Sequence, residues 1–371
     1  MIYDVIIIWA WAAGLFAGIN LPKNYKKLIL EKNKNPWVKV LLSGWERANV
    51  SNIDIEAEED YFSQNKKFLI SVFAKYNNWD LQSFFAENWV DIIEEDRWRL
   101  ILESWDSKEL LNLLLKKVRE NECEIKVNCD VKSIKRIENL FHIQTESRKK
   151  FLAKNVIIST GWKSFFQVWT TWEWYNFAND FWLKLISPTR ALCWLSTKKD
   201  FKELSGSTLN CEIILKDKKK EIYREFWPLL FTHFWISWPI VFNTTNALWE
   251  YLNSINIELE TNKIKYILEN IKVELKINPN DSTKKINKFF EKELKNEELI
   301  EFGLQDWRSW KEAKATGWWI DLNELDKNFM VKKVHGLYFI WEVVDVVGKT
   351  WWFNLQWAFS SGYVCGKSII L

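Results

Sequence analysis

Trp9-Ala-Trp11-Ala12-Ala13-Gly14 stands directly after the apolar run 3–8 and before a helical pattern over 15–21. With glycine at the two tryptophans it would read G-A-G-A-A-G. In such a turn the first glycine allows the tight bend and the second lets the backbone approach a pyrophosphate. The third lets helix pack close on strand, and the helix N-terminus faces the phosphates. Glu31 ends the next apolar run, 27–30, at the spacing of an acid that binds a ribose 2′-OH. As literally written, two indoles fill the phosphate position, and a buried strand–helix turn without ligand explains the residues as well.

Three further segments carry chemistry. Ser43-Gly44-Trp-Glu-Arg47-Ala-Asn49 offers successive backbone N–H groups and a guanidinium, suited to a pyrophosphate; a solvated loop arginine is the plain alternative. The apolar strand from Val156 ends in Ser-Thr160-Gly161-Trp162, a strand end that returns the chain beside a ligand. The longest pattern runs from Gly336 through Trp341-Glu342-Val-Val-Asp345 to Thr350-Trp-Trp352-Phe-Asn354-Leu355-Gln356. A strand ending in glycine and an acid can hold ribityl hydroxyls. The turn that follows, at a helix N-terminus, can meet the pyrimidine edge of a flavin ring. No acid–base residue stands out; His233 and Lys163 are the candidates, with Glu342 behind them.

The composition is anomalous. The chain has 26 Trp and only 11 Gly, where average usage of about 7% would give roughly 26 glycines. Many Trp fall at turn positions: 9, 11, 172, 174, 318, 319, 351 and 352. Trp227-Pro228 and Trp238-Pro239 look like Gly-Pro punctuation, and Asn88-Trp89 and Arg97-Trp98 look like Asn-Gly hairpin turns. Only glycine has a backbone reason to be at such sites. The codons UGA and GGA differ in one base, and abundant Lys, Asn and Ile fit an AT-rich genome. The expectation is an alternative genetic code in which UGA is glycine. Trp307, Trp310 and Trp357 fit packed contexts; Trp79, Trp105 and Trp249 are left open.

The elements that must position these residues follow a strand–helix alternation. A helix is expected over 107–121, with Asp106 as N-cap and Glu109 completing a capping box. Strands and a hairpin are expected over 124–146, continued at 150–153, and a further buried strand at 156–159. Residues 188–260 read as short strands, and 262–302 are Lys/Glu-rich with helical spacing. After Gly336 the strand-then-helix pattern returns. The expected domains are 1–186 and 321–371 as two parts of one α/β domain, 187–261 with 304–320 as a β-rich insertion, and 262–303 as a helical subdomain. A length of 371 residues accommodates them.

A net charge of +3 gives no reason for a nucleic-acid or membrane partner, so a small-molecule substrate is expected. Five cysteines without a C-x-x-C pair point to free thiols in the cytoplasm and away from a disulfide framework or a zinc site. Residues 5–21 are apolar but lack a positive flank and are short for a membrane span.

With glycine restored, the stretches 159–175 and 226–239 join the motifs above. There the chain resembles the bacterial NAD(P)/FAD-dependent oxidoreductases of the glutathione-reductase superfamily, which include aminoacetone oxidases and dehydro-bile-acid reductases. The resemblance implies a Rossmann-type FAD domain interrupted by a β-barrel-like domain with a small helical subdomain. It implies FAD bound by Trp9, Trp11, Ala12, Ala13, Gly14, Glu31, Lys32, Ser43, Gly44, Arg47, Asn49, Val131, Thr160, Gly161, Trp162, Trp341, Glu342, Asp345, Trp352, Asn354, Leu355 and Gln356. Hydride transfer between substrate and flavin is the expected reaction; amine oxidation and enone reduction both fit it. No second dinucleotide fingerprint marks an NAD(P)H site, although a nicotinamide can bind transiently. Ala48 replaces the cysteine the family has in that motif. Two other classes stay open: a flavin or nucleotide binder without turnover, and, if the Trp are literal, a Trp-rich module for sugars or nucleic acid.

Overall fold

The computed structural model describes residues 1–34, 48–160, 173–186, 189–257, 260–278, 280, 282–291, 299–307, 313, 315–317 and 320–371. The chain divides into two units: Met1–Ile186 with Trp318–Leu371, and Ser187–Gly317.

The first unit is a mixed α/β fold of Rossmann type. Val5, Ile6, Ile7 and Ile8 are fully buried, as strands covered on both faces require. Ile2–Ile8 pairs in parallel with Lys27–Leu30 on one side and Lys150–Ile158 on the other. Cys123–Lys126 extends the sheet beyond Lys27–Leu30. On the far side, Leu337–Phe339 pairs in parallel with the end of Lys150–Ile158, placing Val156 beside Leu337 and Ile158 beside Phe339. The start of that long strand instead pairs antiparallel with Leu140–Thr145, which hairpins to Val131–Ile137. One continuous strand thus replaces the two runs expected at 150–153 and 156–159. Chain ends distant in sequence meet here, because the C-terminal strand completes the sheet begun by the N-terminal one.

The apolar run 5–21 is a buried strand and the helix Ala12–Asn20. Among the described residues no helix is long and apolar enough to cross a membrane. The C-terminal helix Trp351–Ser368 lies against Ala12–Asn20. Their approach is backbone to backbone. A Cβ on Gly362 would meet the Ala13 carbonyl oxygen at 2.6 Å, and one on Gly366 the Ala17 oxygen at 2.7 Å. Helix Ser107–Glu120 buries Leu110, Leu111, Leu113, Leu114 and Val118 and is N-capped by Asp106, which accepts from Lys108 N. Glu109 does not complete a capping box; its carboxylate accepts from Ser104 Oγ. The box is formed instead by Asn77 and Asp80, at the start of Asn78–Glu87.

Arg97 and Trp98, both left-handed, turn Ile92–Glu95 into Arg99–Leu102, as expected. Asn88-Trp89 is not a hairpin turn. Asn88 is the C-cap of helix Asn78–Glu87, and Trp89 follows it.

The second unit holds a closed barrel in the order Leu195–Thr197, Trp235–Ser237, Lys220–Phe231, Thr208–Asp217, Ile271–Lys276, Leu299–Trp307. Trp227-Pro228 does not mark a turn; it lies within Lys220–Phe231, with Pro228 opposite Asn210. Around Pro228 the described pairing is to one neighbour, so the missing N–H breaks no ladder. Trp238-Pro239 does mark a turn, with proline in the first turn of helix Pro239–Ser254. Residues 262–303 are not helical throughout. Helix Glu260–Asn270 leads into the barrel strand Ile271–Lys276, and Lys284–Phe289 is a second helix. The strand carries a period-2 alternation, Ile271-Lys-Val-Glu-Leu-Lys276, hidden within a Lys/Glu-rich stretch of helical composition.

Gly362→Ala should lose about 1–3 kcal/mol in denaturant titration, because its methyl meets a carbonyl held by a helix. Gly18→Ala, whose methyl would meet first the side chains of Ile29, Cys123 and Ile7 at 3.3, 3.4 and 3.5 Å, should lose less. Equal losses would contradict the close-approach account.

Candidate functional site

The turn after the first strand is held from three directions. Trp9 N donates to Leu30 O at 2.8 Å, and Trp9 has φ 79°. Glu31 is wholly buried. Its Oε2 accepts from Ala10 N at 2.9 Å and its Oε1 from Asn33 N at 2.8 Å. The acid therefore braces the turn as well as ending the second strand. Ser159 Oγ donates to Ile8 O at 2.8 Å and lies 3.0 Å from Trp9 O. The helix begins at Ala12, with Ala12 and Ala13 buried. A Cβ on Gly14 would meet Trp9 O at 2.3 Å and Ser159 Oγ at 2.5 Å, so this position has no room for a side chain.

Residues expected at the acid's end gather around it. Cys129 N donates to Glu31 O at 2.8 Å, which brings the start of Val131–Ile137 alongside. Lys32 pairs with Asp130 at 3.2 Å, and Val131 is buried.

The far strand supplies the other wall. Ile340 N donates to Ile158 O at 3.1 Å, and Trp341 follows with φ 67°. Glu342 and Asp345 are buried, and Asp345 Oδ2 accepts from Gln64 N at 3.0 Å. Asn354 fastens the turn before the C-terminal helix: its Oδ1 accepts from Gly348 N at 3.0 Å, and its Nδ2 donates to the carbonyls of Gly348 and Thr350. Gln356 accepts from Ser51 Oγ at 2.6 Å and donates to Ser360 Oγ at 3.0 Å. Its amide is thus engaged inside the fold rather than offered to a flavin edge. Leu355 is buried, and the Arg99 guanidinium lies over the Trp352 ring at 5.5 Å. Asn49 Oδ1, Thr160 Oγ1 and Thr350 Oγ1 are buried and have no hydrogen-bond partner among the described residues. Ser43, Gly44, Arg47, Gly161, Trp162 and Lys163 lie outside the described residues.

The frame fits a dinucleotide: a braced turn, a glycine with no room for Cβ, a buried acid and orphaned polar atoms. Three side chains do not. Trp9, Trp11 and Trp341 are each less than 5% exposed, and the Trp11 ring lies 5.5 Å from Trp9 and 5.1 Å from Trp341. Their indoles pack against one another at the two strand ends, on the turn that would hold a pyrophosphate. With tryptophan at these positions the chain does not fit FAD.

His233 belongs to the barrel unit. It is exposed on the turn after Lys220–Phe231, with Nδ1 3.4 Å from Ser205 Oγ. Ser51, Ser159 and Gly348 were missed as structural parts of the site. A Cβ on Gly348 would meet the Phe353 Cβ at 2.5 Å. Ser159 and Gly348 adjoin motif residues and were within reach; Ser51 meets its partner 305 residues away, for which the sequence holds no local signal.

Burial pushes the Glu31 carboxyl above its ordinary value of 4.5, against the backbone N–H groups that favour its charge. Between 4.5 and its raised value the folded protein keeps a proton that the unfolded chain releases, so this residue's contribution to stability falls as pH rises through that window. Glu31→Gln should remove that slope. It should also lose about 1–3 kcal/mol at pH 7, because one of two backbone N–H groups then faces an amide N–H₂. Unchanged stability with an unchanged pH slope would contradict the brace.

Comparison with known proteins follows the same architecture. Two relatives named ribosomal RNA dihydrouridine synthase match from end to end. The Haemophilus influenzae protein is 29% identical over 98% of both chains. The Escherichia coli protein is 26% identical over 99% of this chain and 98% of its own. A crystal structure of 3-ketosteroid-delta4-(5alpha)-dehydrogenase from Rhodococcus jostii RHA1 aligns over 99% of this chain and 96% of its own, with TM-score 0.53 and 9% identity, a likeness of fold. Residues 3–368 match the HI0933-like protein Rossmann domain, and the chain belongs to that family.

Proposed function

We propose that this protein is an FAD-dependent oxidoreductase that reduces uridine in ribosomal RNA to dihydrouridine, with glycine at positions 9, 11 and 341 in its working form. The observation that carries the flavin half is the turn braced by Glu31 and closed by Gly14. The substrate half is supported by the two relatives, each matched over nearly its whole length.

The chemistry is coherent with the expected enone reduction. Dihydrouridine differs from uridine by two hydrogens across C5–C6, a double bond conjugated to the C4 carbonyl. Its saturation takes two electrons and two protons. With glycine at 9, 11 and 341, a flavin held here would supply the two-electron chemistry, with a reduced nicotinamide as the donor class. Asn49, Thr160 and Thr350, whose side-chain oxygens are buried without a partner among the described residues, would supply polar atoms to it.

An RNA substrate departs from the small-molecule partner inferred from the net charge of +3. Overall charge governs non-specific phosphate affinity, whereas a single base is recognised by the walls of its site. The cytoplasm is where such a substrate lies.

The test is to incubate the protein carrying glycine at 9, 11 and 341 with FAD, a reduced nicotinamide and ribosomal RNA lacking dihydrouridine. Nucleosides from the digested RNA should include a uridine heavier by two hydrogens. Flavin-loaded protein that leaves every uridine unchanged would overturn the substrate assignment.

A further inference from the structure

We propose that Trp9, Trp89, Trp98, Trp105, Trp182, Trp238 and Trp341 are glycine in the protein its own cell makes, encoded by UGA read as glycine, whereas Trp249 and Trp357 are tryptophan. The backbone sorts the two groups, and it does so whether or not the flavin reading holds.

Among the described residues, seventeen non-glycine residues have positive φ, and seven of them are Trp. Trp supplies only 26 of 371 residues. Asn and Asp are the side chains that tolerate this region, and a bulky side chain there is an outlier. The seven sites are also the ones where glycine has a job.

Two are helix ends. After Asn78–Glu87, Trp89 N donates to Ala86 O and Val90 N to Phe85 O, both at 3.1 Å. After Glu173–Asp180, Trp182 N donates to Asn179 O at 2.9 Å and Leu183 N to Ala178 O at 3.1 Å. Both are Schellman motifs with tryptophan at the left-handed residue, the position glycine ordinarily fills. The same motif recurs after Pro239–Ser254, where Asn256 N donates to Asn253 O and Ile257 N to Leu252 O; there the left-handed residue is Asn, glycine's usual substitute. Packing gives no reason for an indole at these ends: Trp89 is 93% exposed and Trp182 86%.

Trp238 is stricter still. Its φ of 96° and ψ of 166° fall where essentially only glycine goes. Trp98 and Trp105 are left-handed at turns and half exposed. Trp9 and Trp341 are the left-handed residues at the two strand ends, and their rings both pack against that of Trp11.

Trp249 and Trp357 behave oppositely. Both sit inside helices at ordinary φ and are almost wholly buried. Each satisfies its indole N–H: Trp249 Nε1 donates to Arg190 O at 3.2 Å and Trp357 Nε1 to Trp341 O at 3.3 Å. Glycine there would leave a large cavity.

Two readouts independent of flavin test this. Proteolytic peptides of the protein isolated from its own cells should be lighter than the written sequence by an indolylmethyl group less one hydrogen (C9H7N) at every one of the seven positions, and unchanged at 249 and 357. The gene should carry TGA at the seven and TGG at the two. Tryptophan mass or TGG at any of the seven would overturn the assignment for glycine, and glycine mass at 249 or 357 would overturn the assignment for tryptophan.

Discussion

Everything around the candidate site depends on backbone approaching backbone with no side chain between. The first helix can follow the first strand so tightly only because Gly14 carries no Cβ to strike the Trp9 carbonyl and Ser159. The C-terminal helix can lie against the first helix only because Gly362 and Gly366 face its carbonyls. Alanines at 12, 13 and 17 keep the other side of that contact thin. Such packing places a helix N-terminus, with its unpaired N–H groups, beside the ends of two strands.

Polar contacts lock what close packing brings together. Glu31 reaches back to Ala10 and forward to Asn33, tying the second strand to the turn. Ser51 meets Gln356, and Trp357 meets the Trp341 carbonyl, tying the C-terminal helix to early and late segments alike. A buried carboxylate is costly unless it is hydrogen-bonded, so Glu31 tolerates little change in the turn it holds. The indoles at 9, 11 and 341 pack together at the turn these contacts hold.

Much of this was legible in the residues. The strand at 27–30, the acid after it and the turn at 9–14 were readable because their chemistry is local in sequence. The helix after Asp106 was legible for the same reason. What failed was either non-local or masked by composition. The Ser51–Gln356 pair joins residues 305 apart. The strand Ile271–Lys276 alternates within a Lys/Glu-rich stretch whose bulk character is helical. Asn88-Trp89 reads as a hairpin turn and serves a helix end, because a left-handed residue suits both equally. Trp105 and Trp249 could be sorted only by dihedral angle and by the partner of the indole nitrogen.

The most direct measurement is the visible absorption of two purified chains after incubation with FAD and removal of free cofactor: the chain as written, and the same chain with Trp9, Trp11 and Trp341 replaced by glycine. Clearing the indoles should let the glycine chain retain a flavin spectrum, while the written chain stays colourless. A folded glycine chain that retains no flavin, or a written chain that retains as much, would contradict the claim that these three rings stand in a dinucleotide cleft.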